Sequence, residues 1–248
     1  MTLDTFFASH PKAALAFSGG CDSAYLMYAA KQAGCCLQAY FVKSVFQPEF
    51  ELEDARRLAQ QLQVPLKVLS ADVLAVPEVA ANPANRCYYC KRTIFEQILA
   101  QAAADGYTTL LDGTNASDET ADRPGMRALA ELQVHSPLRE CGITKAQVRA
   151  YSKQAGLFTH DKPAYACLAT RIPCGVPLDA DTLYRVEEAE NRLFALGYRD
   201  LRVRVRGEMA LLQLPAEQFA QAAAEAAVIR AQLSPYFSQI ALDFSPRS

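Results

Sequence analysis

Ser18-Gly19-Gly20-Cys21-Asp22-Ser23 gathers two hydroxyls, two glycines and a carboxylate in six residues. The apolar run at 12–17 before it reads as a strand, and Ala24-Tyr25-Leu26-Met27-Tyr28-Ala29-Ala30 after it as a helix. A strand, a glycine turn and a helix start aim unpaired backbone N–H groups and the positive helix end at one spot, which is an anion site. Glycine is needed there because a Cβ would keep the backbone away from a phosphate. No Gly-Lys-[Ser/Thr] follows, so this is not a Walker loop. The plainer reading is a capped helix after a turn, since Asp and Ser are ordinary caps.

Two further sets of residues carry chemistry. Of eight cysteines, Cys35 and Cys36 open an apolar run at 35–42 and read as buried core thiols. Cys141 falls in a turn, and Cys21 reads as packing. Cys87-x-x-Cys90, Cys167 and Cys174 stand apart, and four such thiols could close a structural zinc site. The second set is Leu201-Arg202-Val203-Arg204-Val205-Arg206. Its strict alternation puts three arginines on one strand face, either an anion clamp or a solvated face.

The elements that must hold these groups alternate as β and α over the first two-thirds. Strand-like runs lie at 12–17, 36–42, 65–69 and 107–112, with helical patterns near 22–33, 49–63 and 91–104. Such alternation predicts a parallel sheet with helices on both faces and ligands at the strands' carboxyl ends. Both Ser18-Gly19-Gly20 and Asp112-Gly113-Thr114-Asn115 fall there. Prolines at 163, 173 and 177 mark a loop across 161–177. Beyond it the pattern reads helix 179–196, strand 200–206, a turn at Gly207-Glu208, strand 209–214, helix 216–232 and strand 238–243. The expected domains are thus 1–162, holding the glycine loop, a linker at 163–177 carrying Cys167, and a small α+β domain at 178–248.

The 248 residues are 51% hydrophobic and 21% charged, as in a globular protein. No apolar run is long enough to span a membrane and no signal-peptide pattern is present, so a cytoplasmic location is expected, where thiols stay reduced. A net charge of −2 supplies no general attraction to nucleic acid.

The glycine loop is similar to the SGGxDS signature of the PP-loop ATP pyrophosphatases, which split ATP between its α and β phosphates. Other segments narrow the resemblance: Asn82-Pro83-Ala84-Asn85-Arg86-Cys87-Tyr88-Tyr89-Cys90-Lys91, Asp112-Gly113-Thr114-Asn115-Ala116-Ser117-Asp118, Arg123-Pro124-Gly125, His135-Ser136-Pro137-Leu138 and Lys162-Pro163-Ala164-Tyr165-Ala166-Cys167-Leu168-Ala169-Thr170-Arg171-Ile172-Pro173. With the arginine strand, these resemble the LarE family of ATP-dependent sulfur transferases over nearly the whole chain. That family converts the carboxylates of a pyridinium mononucleotide to thiocarboxylates for the nickel-pincer cofactor of lactate racemase.

The resemblance implies a Rossmann-like α/β fold of the PP-loop (adenine nucleotide alpha hydrolase-like) type. It implies that Ser18, Gly19, Gly20, Asp22, Ser23, Gly113, Thr114 and Asn115 bind ATP, with Asp22 either a Mg²⁺ ligand or a helix cap. Arg171, Arg202 and Arg204 would hold the mononucleotide phosphate or the leaving pyrophosphate. Glu190 matches an active-site position, its plainer reading being a solvated helix residue beside Glu187 and Glu188. Cys167 matches the sulfur-bearing cysteine, and Arg171 would favour its thiolate. In one branch that cysteine gives up its sulfur once. Here Cys87 and Cys90 join Cys167, which resembles the branch holding a [4Fe–4S] cluster whose fourth iron takes sulfide or another sulfur source. Cys174, where the family often has tyrosine, reads as passive. A homo-oligomer is implied, and nucleic acid is not expected as a partner. The competing readings are a tRNA thiolase, an amidating synthetase, a single-turnover enzyme with zinc, and a nucleotide-binding module without turnover.

Overall fold

In the computed structural model, which describes residues 1–118 and 124–247, the chain divides into two compact units. The first comprises Met1–Val79 and Asn85–Lys162, the second Ala80–Ala84 and Pro163–Ser248. Arg123 of the Arg123-Pro124-Gly125 segment lies outside the described residues.

The first unit runs α1 (Leu3–Ser9), β1 (Lys12–Ala16), α2 (Cys21–Gln32), β2 (Cys36–Lys43), α3 (Glu49–Leu62), β3 (Leu66–Ser70), α4 (Pro77–Ala80, ending at the boundary), α5 (Arg86–Ala104), β4 (Leu110–Leu111), α6 (Pro124–Glu131), α7 (Pro137–Glu140) and α8 (Lys145–Gln154). Its sheet has the order β3-β2-β1-β4, every pair parallel. Alternation along β1 sends Ala13 and Leu15 into a core with Phe6, Phe7, Leu26, Met27 and Leu58. Ala14 faces the opposite core, with Tyr40, Phe95, Ile98 and Leu129. Helices therefore cover both faces, and the strand ends are the accessible edge. This is the α/β parallel-sheet architecture that the alternation predicts.

The second unit holds α9 (Ala180–Ala195), β5 (Arg202–Arg206), β6 (Met209–Gln213), α10 (Phe219–Ala224), α11 (Ala226–Leu233) and β7 (Gln239–Leu242). β5 and β6 form an antiparallel hairpin, and β7 joins β6 in parallel. α9 starts where the Asp179 side chain accepts from Thr182 N at 2.7 Å, and it buries Leu183, Val186, Ala189 and Leu193 along one stripe. The five residues Ala80–Ala84 belong here through Asn82. Its amide donates to Pro173 O at 2.8 Å and Val176 O at 3.0 Å, and its carbonyl accepts from Gly175 N at 2.8 Å.

Several expectations need correction. The helix expected at 91–104 begins at Arg86, so Cys87 and Cys90 are helical residues. The helix expected at 216–232 is a 3₁₀ turn followed by two helices, the chain bending at Glu225. The 161–177 loop contains a 3₁₀ turn at Leu168–Arg171. Cys36 is exposed, since it is the first residue of β2 and alternation turns it outward, while Cys35 is buried. Burial pushes the Cys35 thiol up to about 11.

Candidate active site

The first unit's site is built at the carboxyl end of β1. Gly19 has φ +72°, and a Cβ there would stand 2.9 Å from the Glu51 carbonyl oxygen of α3. Gly20 is the N-cap of α2 with no side-chain cap, so the first turn presents its N–H groups without a competing acceptor. Ser18 Oγ and Ser23 Oγ lie 3.0 Å apart beside it. Cys21 is buried, 3.8 Å from Ser152 Oγ, as its reading as packing expects.

Asp22 is not the helix cap. Its carboxylate sits in the first turn, accepting from Lys145 Nζ at 2.5 Å and from Asn115 Nδ2 at 3.3 Å. The loop after β4 is thereby bound to the glycine loop. A Cβ on Gly113 would lie 2.8 Å from Ser23 N, so the two backbones meet at van der Waals contact. Asp112 shapes that second loop, accepting from Thr114 Oγ1 at 2.5 Å and Ser136 Oγ at 2.6 Å. Lys162 reaches Gly19 O at 3.4 Å and pairs with Asp54 at 2.7 Å. Ser18, Gly19, Gly20, Asp22, Ser23, Gly113, Thr114 and Asn115 are thus assembled at one helix start.

Cys87 and Cys90 lie in the first two turns of α5, three residues apart and so on one face; Cys87 is exposed and Cys90 partly so. Arg86 Nη2 lies 3.7 Å from Cys87 Sγ. Cys167 and Cys174 belong to the second unit, Cys167 partly exposed at the head of its 3₁₀ turn and Cys174 exposed. No three His, Cys, Asp or Glu side chains stand together as a metal-binding group among the described residues.

In the second unit Glu190 is 1% exposed and Arg171 is fully buried. Their fork is bidentate, Nε to Oε1 at 2.8 Å and Nη2 to Oε2 at 3.1 Å. Tyr165 OH and Val203 N also donate to Glu190, at 2.5 and 2.9 Å. The reading of Glu190 as a solvated residue is therefore corrected. Its place in the apolar stripe of α9, between Val186 and Leu193, puts it inside. Arg171 Nη1 spans Ala166 O at 2.7 Å and Cys167 O at 3.5 Å, so the pair shapes the Cys167 turn.

On β5, Val203 and Val205 are buried while Arg202, Arg204 and Arg206 share the other face, as alternation predicts. Arg204 donates to Thr170 O and to Gln213 Oε1 at 2.9 Å. The Arg202 side chain makes no hydrogen bond or ion pair among the described residues, while its backbone pairs with Gln213. Burial, then the charges of Arg247, Arg171 and Arg204, press its guanidinium down to about 10. A bound anion would relieve the repulsion on a half-buried cation crowded by cations.

Sequence reasoning passed over Lys145, Asp112, Ser136, Tyr165 and Lys162 as side chains with work to do. All but Lys145 lie inside the quoted segments. Asp112, a carboxylate closing an apolar strand, carried the clearest signal.

A glycine loop between the first strand of a parallel sheet and an uncapped helix defines a PP-loop α/β protein. No protein-family profile matches the chain. It is 38% identical over 88% of its length to the uncharacterized protein slr1717 of Synechocystis sp., of which it covers 82%. It is 30% identical over 81% of its length to the pyridinium-3,5-bisthiocarboxylic acid mononucleotide synthase of Lactiplantibacillus plantarum, covering 74% of that protein. A tRNA-specific 2-thiouridylase MnmA of Clostridium perfringens is 24% identical over 73% of the chain, which covers 60% of that enzyme. The chain belongs to the LarE family of sulfur transferases.

Proposed function

We propose that this sulfur transferase uses ATP to adenylate the carboxylates of a pyridinium mononucleotide and converts them to thiocarboxylates, the organic part of a nickel-pincer cofactor. What carries the reading is the meeting of Ser18, Asp22, Ser23, Gly113 and Asn115 at the uncapped start of α2. The relative bearing the synthase name, matched over 81% of the chain, supports the substrate.

A carboxylate is a poor acyl donor because oxide is a poor leaving group. Its oxygen would attack the α-phosphorus of ATP while the bond to the bridging oxygen breaks and pyrophosphate departs. The first-turn N–H groups of α2 and the Ser18 and Ser23 hydroxyls would receive the phosphates. Mg²⁺ prefers oxygen ligands, which Asp22 and the phosphates supply; Lys145 would leave Asp22 and follow the negative charge. A sulfur nucleophile then attacks the acyl carbon and AMP leaves.

Thiolates are the soft ligands an iron–sulfur group takes, and Cys87 and Cys90 on one face of α5 support the reading. Cys87, Cys90 and Cys167 would hold a [4Fe–4S] cluster, which when bound supplies an open iron position for hydrosulfide. Arg171 holds the backbone carbonyl oxygens of Ala166 and Cys167, positioning that turn. Arg202 and Arg204 would take the mononucleotide phosphate.

The test is pyrophosphate release measured with and without a carboxylated pyridinium mononucleotide, after anaerobic purification. Release that needs the mononucleotide supports the reading; release stimulated only by tRNA overturns it. Cys167→Ala is expected to abolish thiocarboxylate formation while ATP still binds. Cys87→Ala or Cys90→Ala is expected to lose bound iron and multiple turnover. Several products per chain from either variant would remove the cluster from the mechanism.

A further inference from the structure

The second unit brings one more arginine to this anion site, from a segment that no motif includes. Residues after β7 continue alongside β6 in the same direction: Asp243 N donates to Leu212 O and Arg247 N to Leu214 O, both at 2.9 Å. Gln213, between those acceptors, is the register partner of Arg202. The backbone of Arg247 is therefore laid at the end of the hairpin where Arg202 stands. Asp200, two residues before Arg202, receives the Arg247 fork through Nε at 2.8 Å and Nη2 at 2.6 Å. It does so from φ +49°, a left-handed conformation that Asp tolerates better than most residues. The Arg247 side chain is only 12% exposed, and Nη2 also lies 3.5 Å from Ala164 O in the segment leading to Cys167. Of all the charges acting on Arg202, that of Arg247 weighs most.

We infer that Arg247 is the third guanidinium of the phosphate site, and that the ligand of Arg202, Arg204 and Arg247 together is a phosphate monoester dianion rather than the leaving pyrophosphate. The inference rests on the function proposed above for the identity of the substrate, but its own basis is the second unit alone. Arg171 is neutralised by Glu190. Arg206, exposed at the other end of β5, is offset by the Asp243 carboxylate; Arg202, Arg204 and Arg247 less the Asp200 carboxylate then leave two positive charges, which a monoester dianion balances and a carboxylate does not. Asp200 fixes the Arg247 fork in advance, so little side-chain freedom remains to be lost on binding. The contact to Ala164 O connects the same guanidinium to the strand of chain that carries Cys167. Arg247 is thus a phosphate-binding residue that also positions that segment.

The experiment uses the full chain and four probes: inorganic phosphate, ribose 5-phosphate, pyrophosphate and a carboxylated pyridinium mononucleotide. Calorimetric titration of the wild type, Arg247→Ala, Arg247→Lys and Arg202→Ala compares the first three. Ribose 5-phosphate is expected to bind about 10-fold or more weakly to Arg247→Ala, with part of the loss restored in Arg247→Lys. Pyrophosphate is expected to bind both Arg247 variants as it binds the wild type. With the mononucleotide, Arg247→Ala is expected to raise its KM about 10-fold while the KM for ATP stays at the wild-type value. Wild-type affinity for ribose 5-phosphate in Arg247→Ala, beside a loss in Arg202→Ala, would make Arg247 a fold contact and overturn the inference. A larger loss for pyrophosphate than for ribose 5-phosphate would overturn it too. If Arg247→Ala does not fold, Arg247→Lys keeps the charge and the Asp200 pair, and its ribose 5-phosphate affinity decides by falling or matching the wild type. A mononucleotide that never stimulates pyrophosphate release would defeat the proposed function and leave the ribose 5-phosphate result standing.

Discussion

Glu190 is the residue at which burial decides meaning. Three glutamates stand close together on α9, and only Glu190 falls in line with Leu183, Val186 and Leu193. The helical period alone places it inside. What the sequence could not supply is its partner: Arg171 lies nineteen residues earlier, across a proline-rich loop whose path no local pattern determines. The pair is enclosed and fully hydrogen-bonded, so breaking it strands a charge. Glu190→Ala is expected to cost about 3–5 kcal/mol of the second unit's stability. Urea unfolding followed at the tyrosines of that unit would show it, and a change under about 1 kcal/mol would mean the site is wetter than its burial indicates. Cys36 teaches the reverse lesson. Apolar neighbours made it read as core, yet one position of strand register turns it to solvent.

At the scale of elements, the parallel sheet was the most legible part, because its strands are short apolar runs bounded by turns. The break at Glu225 was not, since the alanine-rich stretch around it has strong helix propensity on both sides. The meeting of the two loops depends on an element contact that no motif spells out, Gly113 against the first turn of α2. Gly113→Ala places a methyl 2.8 Å from Ser23 N. It is expected to lower ATP affinity by about 10-fold or more while leaving the melting temperature nearly unchanged. Equilibrium binding of a non-hydrolysable ATP analogue measures the loss.

β2, β3 and α5 are joined by Asp105, which accepts from Lys67 Nζ at 2.9 Å and from Tyr40 OH at 2.9 Å. Those hydrogen bonds, that from Lys67 first, hold its carboxyl below the usual carboxylate range. A carboxylate depressed in the folded state stabilises at pH above its unfolded value and loses that contribution as pH falls through the folded one. Asp105→Asn should therefore melt below the wild type at neutral pH, and the gap should close on acidification below about pH 4. A gap that stays constant with pH would assign the effect to packing.

For the whole molecule, the balance between stability and function is set in the second unit. Arg202 is pressed down to about 10 by burial and by other arginines, so its charge opposes folding at neutral pH. For a base depressed in this way, stability rises with pH between the folded and unfolded values, the same sign of slope as for Asp105, but here the penalty is in full force at neutral pH. Arg202→Met is expected to raise the melting temperature by roughly 2–4 °C and to lose the stabilisation that phosphate gives the wild type. Calorimetry with and without inorganic phosphate reads both effects. Equal phosphate shifts in variant and wild type would place the anion elsewhere.

The excursion of Ala80–Ala84 into the second unit also has a consequence in time. During synthesis Asn82 emerges some ninety residues before Pro173 and Val176, which receive its amide. Until then a residue that ends up 1% exposed, at φ +53°, lacks those two hydrogen bonds. The parallel sheet can close beforehand, because its last strand is complete by Leu111. The nascent chain therefore waits with its glycine loop already made and its arginine strand not yet translated.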